Sequence, residues 1–157
     1  GSVEIESAPG VGTTFRISLP PEGAPAMVAV AQERQLKRPL QVLFADDDPQ
    51  LRSIVQQNLE RAGHSVTATE DGIEALAILR TRKFDLLLTD FSMPKMHGGL
   101  LACAAKEVDA SLPIIMMTGF GEIMLPDGKY PVGVDLLLEK PVSAERLKSA
   151  IAQLVAP

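Results

Sequence analysis

The sequence has no tryptophan, a single tyrosine and a single cysteine, and it has no apolar run long enough to cross a membrane. One cysteine cannot form an internal disulfide, which fits a reducing compartment. A bilayer span needs about 20 consecutive apolar residues, and the acidic VEIES start differs from the basic start of a secretory signal. We therefore expect a cytoplasmic polypeptide without membrane contact.

Positive charge is also scarce. Fifteen Lys and Arg residues stand against twenty Asp and Glu residues, for a net charge of −5, and no basic stripe is present. This balance argues against nucleic acid as a partner. The 157 residues are 46% apolar, enough for one domain with a substantial core. Cys103 lies in the helix-like stretch LLACAAKEV, where we predict a small buried side chain.

Two segments precede the main domain. Residues 3–6 and 14–19 alternate apolar and polar residues on either side of the turn-like APGVGT, a pattern typical of a β-hairpin. Proline, alanine and then charged residues follow without an amphipathic period. We predict a hairpin unit over 1–20, a linker over 21–38 and a domain over 39–157.

Short apolar runs alternate with helical patterns from Leu40 onward. Asp48, Asp71 and Ser143 stand where helix N-caps belong, and Gly63 where the first helix ends. An alternation repeating about every 20 residues predicts an α/β fold with a parallel sheet. The predicted strands are LQVLFA, HSVTA, DLLLT, PIIMM and DLLL.

One interval breaks the alternation. The stretch TGFGEIMLPDGKYPVGV contains four glycines and two prolines where a fourth helix would stand. In a helix interior these cost about 1 and 3 kcal/mol each relative to alanine. We expect a short or irregular fourth helix there.

Chemically active residues follow the predicted strands. In a parallel α/β sheet the functional site forms at the carboxyl ends of the strands, and those ends carry Asp46, Asp47, Asp90, Thr118 and Lys140. Clustered carboxylates without His or Cys suit Mg²⁺, and an aspartate beside Mg²⁺ can act as a nucleophile towards a phosphoryl group. Each residue alone has an ordinary structural role, but their joint order favours a single site.

These residues fall into motifs that resemble one family, the receiver domain of two-component response regulators. The resemblance covers residues 40–155 and implies a flavodoxin-like, doubly wound five-stranded parallel sheet of (βα)5 type. The matching motifs are FADDDP, LLLTDFSMPKMHG, IIMMTG and LLLEKPV.

The resemblance also implies roles for the site residues. Asp90 would be the phosphorylated aspartate. Asp47, Asp90 and the backbone carbonyl of Ser92 would ligate Mg²⁺, and Asp46 would hold a metal-bound water. Thr118 would hydrogen-bond the phosphoryl group.

Lys140 would neutralise the phosphoryl group, and its bond to Pro141 would be cis. Leu137 stands where many family members have an aromatic switch residue. This departure, with the irregular fourth helix, puts the usual signalling coupling in question but not phosphoryl acceptance.

The first twenty residues resemble the last hairpin of a histidine-kinase ATP-binding domain, through Gly10, Gly12 and Thr13-Thr14. Because the other nucleotide-binding boxes are absent, this chain is not expected to bind ATP. It would catalyse only its own aspartate phosphorylation and slow dephosphorylation. The pattern indicates part of a hybrid histidine kinase, whose parent protein could be membrane-anchored.

The favoured function is Mg²⁺-dependent phosphoryl transfer from a phosphohistidine to Asp90, with a histidine-kinase dimerisation domain or a histidine phosphotransfer protein as partner. The alternative is a receiver that regulates the attached kinase by docking, with little phosphotransfer. A third reading, a metal-dependent phosphatase, needs a general acid two residues after the nucleophile, and Ser92 is not one.

Overall fold

The structure is a computed structural model that describes residues 2–8, 12–18, 38–119 and 131–155. The chain divides into two compact units, Gly1–Glu33 and Arg34–Pro157. The first contains an antiparallel pair, β1 (Ser2–Ala8) and β2 (Gly12–Ser18), in continuous register. The two hairpin strands are therefore confirmed. Apart from residue 38, the predicted linker lies outside the described residues.

The second unit is built on five parallel strands. Their order across the sheet is β4-β3-β5-β6-β7, which confirms the flavodoxin-like fold. The strands are β3 (Gln41–Ala45), β4 (Ser65–Thr69), β5 (Leu86–Asp90), β6 (Ile114–Thr118) and β7 (Leu136–Glu139). The described helices are α1 (Pro49–Arg61), α2 (Gly72–Leu79), α3 (Gly98–Val108) and α4 (Ala144–Val155).

Helices cover both faces of the sheet. Side chains of α2 and α3 pack with Leu43 and Leu87 on one face, and those of α1 and α4 pack with Phe44 and Leu88 on the other. All residues of β5 and β6 are buried, which explains why these strands read as continuous apolar runs. Because all neighbouring strands are parallel, their carboxyl ends lie at one common edge of the sheet.

The predicted helix boundaries are largely confirmed. Oδ1 of Asp48 accepts hydrogen bonds from the backbone N–H groups of Gln50 at 2.8 Å and Leu51 at 3.2 Å. Gly63 follows α1 with a φ of +90°, a conformation that glycine adopts without steric cost. The hydroxyl of Ser143 accepts from the backbone N–H of Arg146 at 3.2 Å, as expected of an N-cap.

Two apolar helix residues lie outside the core. Ile54 and Ile73 stand at helical spacing with other apolar residues of their helices, but they are 57% and 51% exposed. Helical spacing placed them at the margin of the apolar stripe, and the neighbouring Val55 and Leu76 occupy the core instead. The last strand begins at Leu136 and not at Asp135, whose carboxylate accepts the backbone N–H of Ile114 at 2.8 Å.

The turn before β7 lies against α3. Gly133 has a φ of +86°, and a Cβ there would lie 3.0 Å from the carbonyl oxygen of Ala102. Sγ of Cys103 donates to the carbonyl oxygen of Val132 at 3.4 Å. Cys103 is half-buried and not fully buried as predicted. The predicted irregularity of the fourth helix falls mainly outside the described residues.

Candidate functional site

Three carboxylates meet at the carboxyl edge of the sheet. Asp46 follows β3 and Asp90 ends β5, and the two strands are hydrogen-bonded neighbours. One oxygen from each of Asp46, Asp47 and Asp90 lies within 4.8 Å of the others. Asp46 and Asp90 are buried whereas Asp47 is exposed. The cluster is thus open on the side of Asp47.

The turn that carries the first two acids is fixed by hydrogen bonds. Oδ1 of Asp46 accepts the backbone N–H of Asp48 at 2.9 Å, and the backbone N–H of Asp46 donates to the carbonyl of Thr69 at 3.2 Å. Nη1 of Arg52, on α1, donates to the carbonyl oxygen of Asp46 at 2.5 Å. The acids are therefore held in place by backbone hydrogen bonds and by the guanidinium of Arg52, a contact that sequence reasoning missed.

Lys140 supplies a positive charge to this cluster. Its Nζ lies 2.7 Å from Oδ1 of Asp90 and 3.3 Å from Oδ2 of Asp46. The backbone N–H of Lys140 donates to the carbonyl of Thr118 at 2.7 Å, which ties the end of β7 to β6. The bond between Lys140 and Pro141 is cis, as the family resemblance implies.

Burial and charge shift the proton affinities at the site. Burial, together with the charge of Asp90, raises the pKa of Asp46, against the opposing effects of the Asp48 N–H and of Lys140. Burial alone would lower the pKa of Lys140, but its contact with Asp90 and the charges of both aspartates outweigh burial and raise it. Lys140 therefore stays charged, and three acids against one ammonium leave an excess of negative charge.

Thr118 and Ser92 complete the predicted set. Thr118 ends β6 and is buried, next to the strand that ends in Asp90. Its hydroxyl donates to the carbonyl of Gly119 at 3.2 Å. Ser92 is exposed and lies two residues after Asp90. The structure thus brings Asp46, Asp47, Asp90 and Lys140 into one cluster and places Thr118 on the adjacent strand end.

The donor set fits Mg²⁺. The three acids offer only hard oxygen ligands, which Mg²⁺ prefers, and the open side leaves room for water or substrate oxygens. Among the described residues, the buried Oδ1 of Asp90 accepts no well-aligned hydrogen bond, so the nearby ammonium is what compensates its charge. A second cation would relieve the remaining repulsion.

The loop after Asp90 lies directly against the site. A Cβ at Gly98 would collide with the backbone carbonyl of Asp90, and the N–H of Gly98 donates to the carbonyl of Phe91 at 2.9 Å. His97 caps α3 by accepting the N–H of Leu100 at 3.4 Å on Nδ1. His97 is exposed, and sequence reasoning missed its role as a cap.

This sheet, with acids, a threonine and a lysine along its carboxyl edge, defines a signalling receiver domain. The response regulator receiver domain model matches residues 42–152, and the chain belongs to that family. The chemotaxis protein CheY4 of Vibrio cholerae has a similar structure, with a TM-score of 0.67 and 30% identity, over 74% of this chain and 99% of that one.

Two sensor proteins align with nearly the whole chain, including the N-terminal strands. Sensor protein EvgS of Escherichia coli (strain K12) is 34% identical over 98% of this chain, and the chain spans 13% of its length. Sensor histidine kinase AruS of Pseudomonas aeruginosa is 31% identical over 98% of this chain, which spans 16% of its length. These alignments are consistent with a fragment of a hybrid sensor kinase. Across the described ranges, no helix has the length and apolar character that a membrane crossing requires.

Proposed function

We propose that this receiver domain accepts a phosphoryl group from a phosphohistidine onto Asp90, with Mg²⁺ bound beside it. One observation carries the proposal above all. A buried carboxylate, Asp90, contacts the ammonium of Lys140, and one of its oxygens lies within 4.8 Å of an oxygen of each of two further acids. A structural ion pair would not need the additional carboxylates of Asp46 and Asp47, which make the cluster more repulsive.

The chemical step follows from these contacts. An oxygen of Asp90 attacks the phosphorus, an O–P bond forms, and the N–P bond of the phosphohistidine breaks. The electron pair of that bond stays on the imidazole nitrogen, which takes up a proton from solvent. Lys140 neutralises charge on the phosphoryl oxygens, and the hydroxyl of Thr118 turns to donate to one of them.

The acidic residues serve a different purpose. Asp47 and Asp90, with the backbone carbonyl of Ser92, would hold Mg²⁺, and Asp46 would hold a water on it. When bound, Mg²⁺ supplies the positive charge that offsets the clustered acids and the incoming phosphoryl oxygens. The buried position of Asp46 keeps its carboxylate fixed for that role.

The partner would be a histidine-kinase dimerisation domain or a histidine phosphotransfer protein, in the cytoplasm. The alignments with EvgS and AruS support this context, since they extend from the receiver through the hairpin strands. We propose that the chain belongs to a hybrid sensor kinase in which the hairpin ends the ATP-binding domain and the receiver takes part in a phosphorelay.

The test is direct phosphorylation. Wild-type protein is incubated with Mg²⁺ and acetyl phosphate, and intact mass is followed; beryllofluoride binding is followed by amide resonances. We expect one phosphoryl group on wild type and none on Asp90→Asn. Asp48→Asn is the matched control, because it removes a neighbouring carboxylate while leaving an N-cap side chain. An unmodified wild type, or equal modification of Asp90→Asn, would contradict the proposal and favour a docking role.

A further inference from the structure

The loop between β5 and α3 contains a backbone conformation that lysine rarely adopts. Lys95 has a φ of +64°, in the left-handed region that favours glycine and, to a lesser degree, asparagine. A lysine persists in such a conformation only when its surroundings hold it there. The contact that holds Lys95 comes from another element.

That contact is an ion pair with Asp71. Oδ1 of Asp71 caps α2 by accepting the N–H groups of Ile73 and Glu74, both at 2.9 Å. Its other oxygen, Oδ2, accepts from Nζ of Lys95 at 2.5 Å. The side chain of Asp71 is only 6% exposed, whereas that of Lys95 is 58% exposed. The hydrogen bond with Lys95 lowers the pKa of Asp71, so both groups are charged at neutral pH.

The backbone packs closely at the same place. A Cβ on Gly72 would lie 2.7 Å from the carbonyl oxygen of Met96, so the start of α2 rests directly on the loop. The two ends of the loop are joined by the hydrogen bond from Gly98 to Phe91. The loop over 91–97 is thus fixed at its base by Gly98 and at its outer side by α2.

We propose that Lys95 is a positioning residue for the metal site: its ion pair with Asp71 holds the 91–97 loop so that the carbonyl of Ser92 faces the acid cluster. The inference rests on the proposed function, since it assigns a purpose to a loop that would hold Mg²⁺. Lys95 itself touches neither the metal nor the phosphoryl group. Loss of the ion pair releases the strained backbone at residue 95. This displaces the carbonyl of Ser92, which lies three residues earlier in the chain.

The experiment compares Mg²⁺ binding in wild type with that in Lys95→Met, Asp71→Asn and the double variant. Asparagine in place of Asp71 still caps α2 but carries no charge for Lys95. Lys83→Met is the matched control, because Lys83 forms an exposed ion pair with Asp109 at 3.1 Å outside the acid cluster. The Mg²⁺ dissociation constant is measured from the amide resonances of residues 91–93 and 95–97, and hydrogen exchange of the Gly98 amide is measured without Mg²⁺.

We expect each single variant to weaken Mg²⁺ binding by about tenfold, the scale of losing an outer-shell support of a metal site. The double variant should bind Mg²⁺ no more weakly than either single variant. In all three variants the amide of Gly98 should exchange faster than in wild type, even without Mg²⁺. Lys95→Arg, which can restore the pair, should bind nearly as well as wild type. Lys83→Met should leave binding unchanged.

Two results would overturn the inference. One is an unchanged Mg²⁺ dissociation constant in a folded Lys95→Met protein, which would make the pair a support for stability alone. The other is equal weakening by Lys83→Met, which would mean that any lost surface charge has this effect. In both cases wild type still binds Mg²⁺, so the proposed function stands; a wild type that binds no Mg²⁺ and accepts no phosphoryl group contradicts both.

Discussion

Nζ of Lys140 lies 2.7 Å from Oδ1 of Asp90, so the proposed nucleophile already has its counter-charge before any ligand arrives. The lysine side chain is 26% exposed and that of Asp90 only 5%. The ammonium can therefore meet incoming phosphoryl oxygens from the solvent side while the carboxylate stays enclosed. This pairing makes Lys140 the natural first target for mutation.

Lys140→Met should slow the phosphorylation of Asp90 by about 100-fold, because a fixed positive charge is lost where negative charge develops. Mg²⁺ should bind at least as tightly as in wild type, since a competing cation has left the acid cluster. The rate with acetyl phosphate and the Mg²⁺ dissociation constant are the two measurements. Lys148→Met, on the exposed side of α4, is the control. An unchanged rate would remove Lys140 from the proposed chemistry.

Gly98→Ala should destabilise the domain by about 3 kcal/mol, at the upper end of typical overpacking costs. The new Cβ would collide with the backbone carbonyl of Asp90, and both atoms belong to regular elements that cannot move aside. Gly63→Ala is the comparison: nothing lies within 4 Å of its Cβ, and its positive φ costs about 1 kcal/mol. Denaturant unfolding of both variants tests the difference. Similar losses would show that the close approach at Gly98 relaxes easily.

His64 should make the stability depend on pH. Nδ1 of His64 accepts the backbone N–H of Leu40 at 3.3 Å, and burial lowers the pKa of His64 below its usual 6.5. Because the folded-state pKa is the lower one, the stabilisation is complete above pH 6.5 and is lost as pH falls through the folded-state pKa. The free energy of unfolding at pH 8 and pH 5 should differ less in His64→Asn than in wild type. Equal differences would contradict this assignment.

Asp48→Ala should lower the free energy of unfolding by about 1 kcal/mol, the usual loss for a removed N-cap. Asp48→Asn should cost little, because its amide oxygen can accept the same two backbone N–H groups. Neither variant should change Mg²⁺ binding, because the Asp48 side chain is engaged at the start of α1. Denaturant unfolding measures the first effect and resonance titration the second. Weaker Mg²⁺ binding in Asp48→Asn would show that all three consecutive acids serve the metal.

The sequence was sufficient for the strands and most caps, because these depend on local patterns, and for the acid cluster, because parallel strands end at one edge of a sheet. An apolar run that ends in an acid predicts both a buried strand and a residue at the sheet edge, as at Asp90. Helical periodicity was less reliable at the margins of the apolar stripe. Ile54 shows this: spacing places it near the core, but only the packing of α1 on the sheet determines that it faces solvent.

Contacts between separate loops could not be predicted. The pair of Asp71 and Lys95 joins residues from two turns whose distance depends on the strand order and on the close packing at Gly72. The hydrogen bond from Arg52 to the carbonyl of Asp46 has no sequence signal either, since arginine on a helix commonly faces water. His97 at a helix start was a weak signal, because histidine is not among the usual N-caps.

The strand order has a consequence for folding. Asp46, Asp90, Thr118 and Lys140 come from four strand ends that are neighbours only in the finished sheet. The set extends from residue 46 to residue 140, so no short segment of the chain contains all of it. A partly folded chain therefore has no complete binding site. Any ligand of this site therefore binds the native state alone, and its binding energy adds to the stability of the entire domain. Occupancy of the site and the free energy of unfolding of the domain are therefore thermodynamically linked.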